Sequence, residues 1–565
     1  MAEIQTSRVT IRAAVRDQLT AAGSPFELVT ETVRGHELPV FKIRARSTRD
    51  LVAGAARFPA DNEFLVLDPL RLTFGDFMDR VARVQQGLVE NHGITKGDVV
   101  AIFGANSPEW VVAFFAATNL GAVVAAINGW WTEDEVGHAF AATSPSLLIA
   151  DQRRLDRLSG GPAHNVSTVV FGTPEFDALW NAKPAPPEPP EPTAPLAPLA
   201  EDDPALILFT SGTTGRSKGA TVTQRGLCGF AQSMLLAAYE RSLVDAQLTG
   251  VQPDPPTGQA VTLGNTPLFH VSGLFGHVLM HLATGGKLVY WEGRFDPEKV
   301  LAIIEKEGVG SFSPMGNMGV RLIDHPRFSD FDTSSVTRLG LGGAPTSPAM
   351  QARLRAAFPQ AAEGLGGGYG SSESTAVCTS LGGTAWHEAP ESVGPAHLDV
   401  ALEIRTEDRT PVATGEQGHI WVRSAYTMLG YWGDDAATAE TIDADGWLAM
   451  GDIGHLDEHG NLTINSRARD MILRGAENIY PIEIQNRIDA HPAVEESAVV
   501  GVEHADLGQV VKAVVVSAAG AELSTEDLHA WCAQTLAPFK VPAHWEIRTE
   551  PLPRTATGKI LKKDL

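Results

Sequence analysis

The chain has 565 residues, 43% of them hydrophobic and 20% charged, a composition typical of a soluble globular protein with two or more domains. Its net charge of −24 argues against non-specific binding to nucleic acid or to an anionic membrane, although it permits a local basic site. The cysteines Cys228, Cys378 and Cys532 lie far apart without metal-ligand spacing, which indicates reduced thiols in a cytoplasmic protein.

The first part of the chain shows alternating strand and helix patterns. Residues 1–60 predict a short leading helix followed by loops, and a helix with apolar spacing opens near Leu72. Ser107 or Asn106 is predicted to cap a further helix, which ends at Gly121. The predicted strands beside these helices cover residues 99–103, 122–127 and 147–150. Strands that alternate with helices predict a parallel α/β sheet.

Three other segments have a distinctive composition. The apolar residues 110–127 include polar positions, so we expect a buried helix that runs into a strand, not a membrane span. The proline-rich residues 183–204 predict an exposed, extended connector, and residues 241–258 predict a second polar excursion. The N-terminus lacks the basic and apolar pattern of a signal peptide.

A loop rich in hydroxyl groups and glycine follows the apolar residues 205–209, which predict a buried strand. Glycine lets backbone N–H groups approach an anion, hydroxyl groups donate hydrogen bonds, and Lys218 adds a positive charge. The spacing is not that of a Walker A motif, because Gly219 follows the lysine. Composition alone leaves a phosphate-binding loop and a plain connector equally open. The candidate phosphate-binding residues are Thr210, Ser211, Gly212, Thr213, Thr214, Gly215 and Lys218.

The order Thr-Ser-Gly-Thr-Thr-Gly-x-x-Lys-Gly closely resembles the signature of the adenylate-forming (ANL) superfamily. This superfamily contains acyl-CoA synthetases, adenylation domains of nonribosomal peptide synthesis and beetle luciferases. Ser217 stands where the family usually has proline. The resemblance extends over roughly residues 60–565, with nearly every core motif in the expected order, and it favours the acyl-CoA synthetase or fatty-acid–CoA ligase branch.

The resemblance implies an α/β fold with two domains. Residues 1–468 would form a large domain of doubly wound sheets with a small β-barrel-like part, which holds ATP and the acyl group. Residues 469–565 would form a small, mobile α+β lid, with Arg469 at the hinge. The elements predicted in the lid are strands at 497–502, 510–517 and 545–547 and a helix at 525–534.

Further motifs would complete the nucleotide site. By the resemblance, Tyr369 stacks on adenine, Ser372 bonds the α-phosphate, and Glu373 holds Mg²⁺ together with Thr213. A close-packed turn is the ordinary explanation for glycine-rich segments such as these. The small residues assigned to the nucleotide site are Gly343, Ala344, Pro345, Gly368 and Gly370.

Two charged motifs near the C-terminus carry the remaining nucleotide contacts. Asp452, in a segment with Met450 where the family usually has threonine, would bind both ribose hydroxyls, and Arg467 would contact ribose and phosphate. Lys559 matches the catalytic lysine, which would bridge the attacking carboxylate oxygen and the α-phosphate. Without the resemblance, these residues would be interpreted as a turn aspartate and a solvated lysine.

The acyl pocket and the CoA channel are also assigned by resemblance. His270 would gate the acyl pocket, although a histidine among apolar residues is more often a packed core residue. The glycines Gly366, Gly367 and Gly368 would line the pocket and suggest room for a bulky or long acid, or flexibility without added volume. The residues assigned to the channel for the pantetheine arm are Arg474, Gly475 and Ala476, the last replacing a more usual glycine.

The reaction implied is that of an AMP-forming acid–thiol ligase, which converts acid, ATP and CoA into acyl-CoA, AMP and diphosphate with the help of Mg²⁺. The acid would be a medium- or long-chain fatty acid or a bulky aromatic or steroid-type acid. Two alternatives stay open: an adenylating ligase that loads a stand-alone acyl carrier protein, and a non-catalytic adenylate-binding protein. The expected partners are small molecules, without nucleic acid or a membrane span, and a homodimer is left open.

Overall fold

The fold is built from several β-sheets with helices between and around them. The computed structural model describes residues 2–158, 165–181, 196–210, 216–252, 258–315, 318–342, 346–474, 477–504, 507–518, 520–555 and 558–565. The strands, numbered in chain order, are β1 (Leu28–Val33), β2 (His36–Phe41), β3 (Glu63–Leu67), β4 (Leu70–Thr73), β5 (Val99–Phe103), β6 (Val123–Ala126), β7 (Leu147–Ala150), β8 (Ser167–Val170), β9 (Pro204–Thr210), β10 (Lys218–Thr223), β11 (Val261–Leu263), β12 (Lys287–Val289), β13 (Ser311–Phe312), β14 (Arg338–Leu341), β15 (Leu365–Ser371), β16 (Ala376–Gly382), β17 (Ser392–Pro395), β18 (Val400–Arg405), β19 (Gly418–Ser424), β20 (Leu448–Leu456), β21 (Asn461–Arg467), β22 (Ile472–Arg474), β23 (Glu477–Ile479), β24 (Val494–His504), β25 (Gly508–Ser517) and β26 (His544–Arg548).

The helices differ widely in length and include a π-helical turn at Leu274–Leu279. The α-helices, numbered in chain order, are α1 (Ala2–Thr20), α2 (Thr48–Gly54), α3 (Phe74–His92), α4 (Pro108–Leu120), α5 (Glu133–Thr143), α6 (Gln152–Leu155), α7 (Pro174–Trp180), α8 (Gln224–Thr249), α9 (Val271–Gly273), α10 (Met280–Thr284), α11 (Pro297–Glu307), α12 (Met318–Ile323), α13 (Pro348–Ala357), α14 (Thr384–Glu388), α15 (Asp435–Thr441), α16 (Pro481–Asp489) and α17 (Thr525–Ala533).

The first large sheet has the strand order β10-β9-β6-β5-β7-β8, and its neighbouring strands are parallel except for β9 with β10. Both faces of this sheet are covered. In β5, Val100 and Ile102 pack into the same core as α4, whereas Val99, Ala101 and Phe103 pack into the core on the opposite face. Burial on both faces explains why these strands are continuous apolar runs. The alternation of strands and helices in the sequence had predicted such a parallel sheet.

The helix α4 is the buried centre of the large core. Ser107 caps it by accepting a hydrogen bond from the Trp110 N–H at 3.2 Å, and Gly121 ends it with a left-handed φ of 84°. Every residue of α4 except Glu109 is buried. The prediction of a buried helix that runs into a strand is therefore confirmed, since β6 follows directly.

The second large sheet has the order β16-β15-β14-β13-β11-β12-β3-β4 and is parallel from β15 to β3, with antiparallel strands at its two ends. Leu339 of β14 and Leu365 of β15 are register partners, and both pack against α11 to α13 on one face. The opposite face of these two strands carries Gly340 and Gly366. The glycine-rich strands thus present one apolar face and one face with no side chains at these positions.

Two smaller sheets follow the large ones and complete the α/β fold. An antiparallel sheet has the order β17-β21-β20-β19-β18, and β22 to β26 form a separate sheet near the C-terminus. The C-terminal sheet packs against α16 and α17 around its own core, which includes Ile484, Val515 and Leu528. The strands and the helix predicted for residues 497–547 are confirmed, whereas the domain boundary at 468/469 stays a prediction.

Two predictions about the flanking segments are wrong. The first 60 residues contain not a short helix and loops but the 19-residue helix α1 and the antiparallel hairpin of β1 and β2. Residues 241–249 are not an excursion, because they are the last turns of α8. The proline-rich residues 182–195 and residues 253–257 lie outside the described residues, and Pro204 begins β9.

Tertiary contacts between α1 and α8 explain why the extents of these two helices were missed. Arg8 pairs with Asp245 at 2.7 Å, and Arg16 pairs with Glu240 at 2.9 Å. Arg12 lies on the same face of α1 and pairs with Glu240 at 3.4 Å. Arginines of α1 face carboxylates of α8, so charged residues occupy positions where the two helices meet. Neither segment therefore shows a clear apolar period in the sequence.

Candidate active site

The two ends of the predicted phosphate loop are held together by the sheet. Thr210, the last residue of β9, and Lys218, the first of β10, are register partners in an antiparallel pair. The Lys218 ammonium lies over the ring of Tyr431, with 5.1 Å between Nζ and the ring centroid. Residues 211–215, which include the predicted ligands Ser211, Gly212, Thr213, Thr214 and Gly215, lie outside the described residues.

The turn that carries Ser372 and Glu373 follows β15 directly. It is closed by a pair of hydrogen bonds, because the Ser371 N–H donates to Ser374 Oγ at 2.9 Å and the Ser374 N–H donates to Ser371 Oγ at 3.3 Å. The Glu373 carboxylate accepts a hydrogen bond from the Tyr431 hydroxyl at 3.1 Å. Tyr431 therefore contacts both Glu373 and Lys218, which come from separate motifs.

A buried hydrogen-bond network surrounds Asp452. The Tyr369 hydroxyl donates to Asp452 Oδ2 at 2.6 Å, and Arg467 Nε lies 2.9 Å from Asp452 Oδ1. Asp452 and Arg467 are register partners on β20 and β21, so the sheet fixes this pair. Burial raises the pKa of Asp452, while Arg467, the Tyr369 hydroxyl and Lys559 oppose this rise.

Lys559 lies near residues of two other motifs. Its charge contributes to the electrostatic environment of both Asp452 and His270. The lysine sits in a tight loop in which the Thr555 N–H donates to the Lys559 carbonyl at 2.7 Å and the Lys559 N–H donates to Thr555 Oγ1 at 3.1 Å. The charge of Lys559 thus acts on both the Asp452 network and the predicted acyl gate.

His270 is the N-terminal cap residue of α9 and packs against the ring of Phe269, with centroids 4.8 Å apart. Burial lowers the pKa of His270 to about 4, and the charge of Lys559 acts in the same direction. The imidazole is therefore neutral near pH 7 and carries no charge that could attract a carboxylate.

The glycines of β15 do not provide the volume that we expected from their missing side chains. A Cβ on Gly367 would lie 2.6 Å from Trp386 Cη2 and 2.1 Å from the Leu341 carbonyl oxygen. A Cβ on Gly368 would lie 2.5 Å from the Thr379 carbonyl oxygen. The inference of extra room is wrong at these two positions, because an indole ring and backbone atoms already occupy the space.

The predicted hinge and CoA channel are only partly described. Arg469 belongs to a short 3₁₀ turn, Ala468–Asp470, between β21 and β22. Arg474 is the last residue of β22 and pairs with Gly508 of β25. The predicted nucleotide residues Gly343, Ala344 and Pro345 and the channel residues Gly475 and Ala476 lie outside the described residues.

Comparison with known proteins decides the family. Residues 51–432 match the family model described as AMP-binding enzyme, and residues 483–559 match the model of the AMP-binding enzyme C-terminal domain. The chain belongs to the AMP-binding enzyme family. It is therefore a member of the ANL superfamily, in the acyl-CoA synthetase branch that the motifs indicated.

The relatives of this AMP-binding enzyme include named ligases. It is 34% identical over 501 residues to a feruloyl-CoA synthase from Amycolatopsis sp., covering 87% of this chain and 93% of that one. It is 30% identical over 559 residues to a long-chain-fatty-acid–CoA ligase from Bacillus subtilis, covering 94% and 95%. The ATP-bound structure of MatB from Rhodopseudomonas palustris is 27% identical, with a TM-score of 0.78 over 92% of this chain and 98% of MatB.

These relatives support an AMP-forming acid–CoA ligase that uses ATP and CoA. Among the helices that the structure describes, none is both long enough and apolar enough to cross a membrane. Sequence reasoning missed Tyr431 as a residue of the candidate site. The only signal for it was the aromatic pair Tyr431 and Trp432 after a glycine, which is also typical of ordinary packing.

Proposed function

We propose that this AMP-binding enzyme activates a medium- or long-chain fatty acid or a bulky cyclic acid and transfers it to CoA. The names of the relatives support both substrate classes, since one is a feruloyl-CoA synthase and another a long-chain-fatty-acid–CoA ligase. The buried network of Asp452, Tyr369 and Arg467 supports the proposal, because it joins predicted nucleotide residues from separate motifs, and the charge of Lys559 acts on both Asp452 and His270.

The first step is adenylation. A carboxylate oxygen attacks the α-phosphorus of ATP, a new P–O bond forms, the bond to the β-phosphate bridging oxygen breaks, and diphosphate leaves. Lys559 would stabilise the negative charge shared by the attacking oxygen and the α-phosphate. His270, being neutral, would shape the entrance for the acid and would not act as a base, because a carboxylic acid is already ionised at neutral pH.

The nucleotide would be held by residues from three parts of the chain. Asp452 would accept hydrogen bonds from the ribose hydroxyls, since each carboxylate oxygen can accept more than one hydrogen bond. Tyr369 and Arg467 would keep that carboxylate in place through the contacts they already make with it. Ser372 and Lys218 would contact phosphate oxygens.

Magnesium fits the residues of this site. Glu373 accepts a hydrogen bond from Tyr431 and is partly exposed, so its carboxylate retains capacity to bind a cation. Mg²⁺ usually takes few protein oxygens and several phosphate oxygens, which suits Glu373 with the hydroxyl of Thr213. When bound, Mg²⁺ would neutralise charge on the phosphates of ATP.

The second step would need a rearrangement of the C-terminal domain. We propose residues 1–468 and 469–565 as the two domains, with rotation about Arg469 after diphosphate leaves. The CoA thiolate would then attack the acyl carbonyl carbon, form the thioester bond and break the bond to the AMP oxygen. Arg474, Gly475 and Ala476 would line the channel for the pantetheine arm.

Diphosphate release tests this proposal. The enzyme would be assayed with fatty, aromatic and steroid-type acids, each with and without CoA. Multiple turnovers that require CoA would support the ligase, and the best acid would define its substrate class. Release of a single equivalent that CoA does not increase would favour loading of a carrier protein. No release with any acid would favour a non-catalytic protein and contradict the proposal.

A further inference from the structure

The segment that carries Lys559 is a loop closed by backbone contacts, and we call residues 553–561 the lysine loop. The structure describes all of it except residues 556 and 557. Arg554 and Ile560 pair in an antiparallel bridge, and the N–H of the last loop residue donates to the carbonyl of the first at 2.8 Å. Lys559 itself is exposed, but it directly precedes a residue whose backbone is held in the bridge.

Apolar contacts attach the base of the lysine loop to the C-terminal sheet. Leu552, directly before the loop, is buried in a small core with Ala498 of β24 and with Val514 and Val516 of β25. Ile560 packs against the same core. These contacts hold the loop on the sheet, but apolar packing is non-directional and does not set the orientation of a peptide group.

An ion pair from β24 supplies a directional contact. The carboxylate of Glu496 accepts a hydrogen bond from the Leu552 N–H at 2.8 Å through Oε1, and its Oε2 pairs with Nη2 of Arg554. The side chains of Glu496 and Arg554 are only 16% and 19% exposed. Because water reaches this pair less than a surface pair, its charges interact more strongly. One carboxylate thus holds both the entry to the lysine loop and a guanidinium group within it.

Arg554 extends this contact to the peptide group directly before Lys559. Its Nη1 donates to the Gly558 carbonyl at 2.6 Å. The N–H of the same peptide group belongs to Lys559 and donates to Thr555 Oγ1 at 3.1 Å. Gly558 has a left-handed φ of 79°, a conformation that favours glycine. Because a peptide group is planar, hydrogen bonds at both its ends fix its orientation and the position from which the Lys559 side chain starts.

We propose that Glu496 and Arg554 are positioning residues for adenylation, which act by holding the peptide group before Lys559. The inference rests on the proposed function, because it takes the Lys559 ammonium as the group that stabilises the transition state of adenylation. A lysine side chain is a flexible stem, so a fixed backbone limits the positions that its ammonium can reach. An ion pair that only stabilised the C-terminal domain would instead affect both half-reactions.

The test assays the two half-reactions separately in the full-length enzyme. Adenylation is followed as single-turnover diphosphate release without CoA, and thioester formation is followed from preformed acyl-AMP with CoA. Dodecanoic acid and ferulic acid would represent the two proposed substrate classes. The variants are Arg554→Met, Arg554→Lys and Glu496→Gln. Arg548→Met is the matched control, because Arg548 forms a similar pair with Glu546 on β26 of the same sheet, at 2.6 Å.

Arg554→Met should lower the rate of adenylation about 10- to 100-fold, because a small displacement of a catalytic group can cost that much. Thioester formation should stay nearly unchanged, which also shows that the variant is folded. Arg554→Lys should lose less, since it keeps the charge but lacks the fork that reaches both carboxylate and carbonyl. Glu496→Gln should also lower adenylation selectively, and the control should behave as the wild type.

A double variant separates an effect through Lys559 from an independent one. If Arg554 acts through the lysine, Arg554→Met should cause little further loss of adenylation in a Lys559→Ala background. Full additional loss in that background would overturn the inference. Equal losses in both half-reactions, in variants that unfold at the same denaturant concentration as the wild type, would also overturn it. If Arg554→Met does not fold, Arg554→Lys is judged by the same criteria.

Failure of the proposed function gives a different pattern. If Lys559→Ala adenylates as fast as the wild type, the role of the lysine fails and the inference fails with it. If Lys559→Ala is impaired but Arg554→Met and Glu496→Gln are not, only the inference fails. Hydrogen exchange at the Lys559 amide needs no turnover. Faster exchange in Arg554→Met than in the wild type and the control would support the hold on the loop even if no acid releases diphosphate, and equal exchange would contradict it.

Discussion

Tyr431 should position the carboxylate of Glu373, and the substitution Tyr431→Phe isolates this contribution. The hydroxyl donates to Glu373 at 3.1 Å, whereas the ring lies 5.1 Å from the Lys218 ammonium. The backbone at this position is held independently, because the Tyr431 N–H donates to Thr438 Oγ1 at 2.8 Å. Phenylalanine should therefore keep the ring in place and remove only the hydroxyl group.

The expected magnitude follows from the geometry. A hydrogen bond to a charged group contributes about 1.5–3 kcal/mol, but this one is longer than the usual O–H···O distance and water can reach the carboxylate. We therefore expect a loss near the lower end, about 1–1.5 kcal/mol, which corresponds to a fall of roughly five- to tenfold in kcat/KM for ATP. The requirement for Mg²⁺ should rise, because Glu373 is the proposed metal ligand.

The assay is diphosphate release at varied ATP and Mg²⁺ concentrations. Tyr239→Phe is the matched control, because Tyr239 is exposed and lies on α8. A double-mutant cycle with Glu373→Gln then tests the mechanism. If Tyr431→Phe lowers activity as much in the Glu373→Gln background as in the wild type, the hydroxyl does not act through Glu373 and the reasoning is refuted.

Three further predictions concern single residues. Lys559→Ala should lower the rate of adenylation by about 100-fold or more, while thioester formation from preformed acyl-AMP stays largely intact. The two half-reactions would be assayed separately, and equal losses in both would contradict the proposed role of Lys559 in adenylation. Gly367→Ala should lower the unfolding free energy by about 1–3 kcal/mol, because the added Cβ would overlap Trp386. Denaturant titration should show a smaller loss for Gly366→Ala, because the nearest atom to its added Cβ is 3.3 Å away. Similar losses in the two variants would refute the packing argument. His270 is protonated near pH 6.5 in the unfolded chain but only at about pH 4 in the folded chain. The unfolding free energy should therefore fall as the pH is lowered from 6.5 to about 4. In denaturant titrations, His270→Gln should reduce the dependence of the unfolding free energy on pH, and an unchanged dependence would show that His270 does not contribute.

Elements with local signals could be predicted from the sequence. The helix α4 was predictable because Ser107 supplies the cap, Pro108 fits the first turn, and Gly121 adopts the left-handed conformation that ends the helix. The strands β5 and β6 were predictable because burial on both faces leaves continuous apolar runs. In each case, the residues that determine the element lie within it or directly beside it.

Elements that depend on distant partners could not be predicted. The end of α8 contains polar residues such as Arg241 and Asp245, and its ion pairs come from α1, more than 200 residues earlier in the chain. The volume beside Gly367 is likewise decided by Trp386, which belongs to α14. A missing side chain shows only that the glycine contributes no atoms, and the neighbouring elements decide whether the space is empty.

The residues of the candidate site also divide into those that the sequence indicated and those that it did not. Motif resemblance indicated Tyr369, Asp452, Arg467 and Lys559, and the structure brings these residues into one region, although their roles stay predictions. The resemblance gave no indication of Tyr431, because this residue lies outside the motifs and contacts two of them. Contacts of this kind become visible only once the motifs are arranged in space.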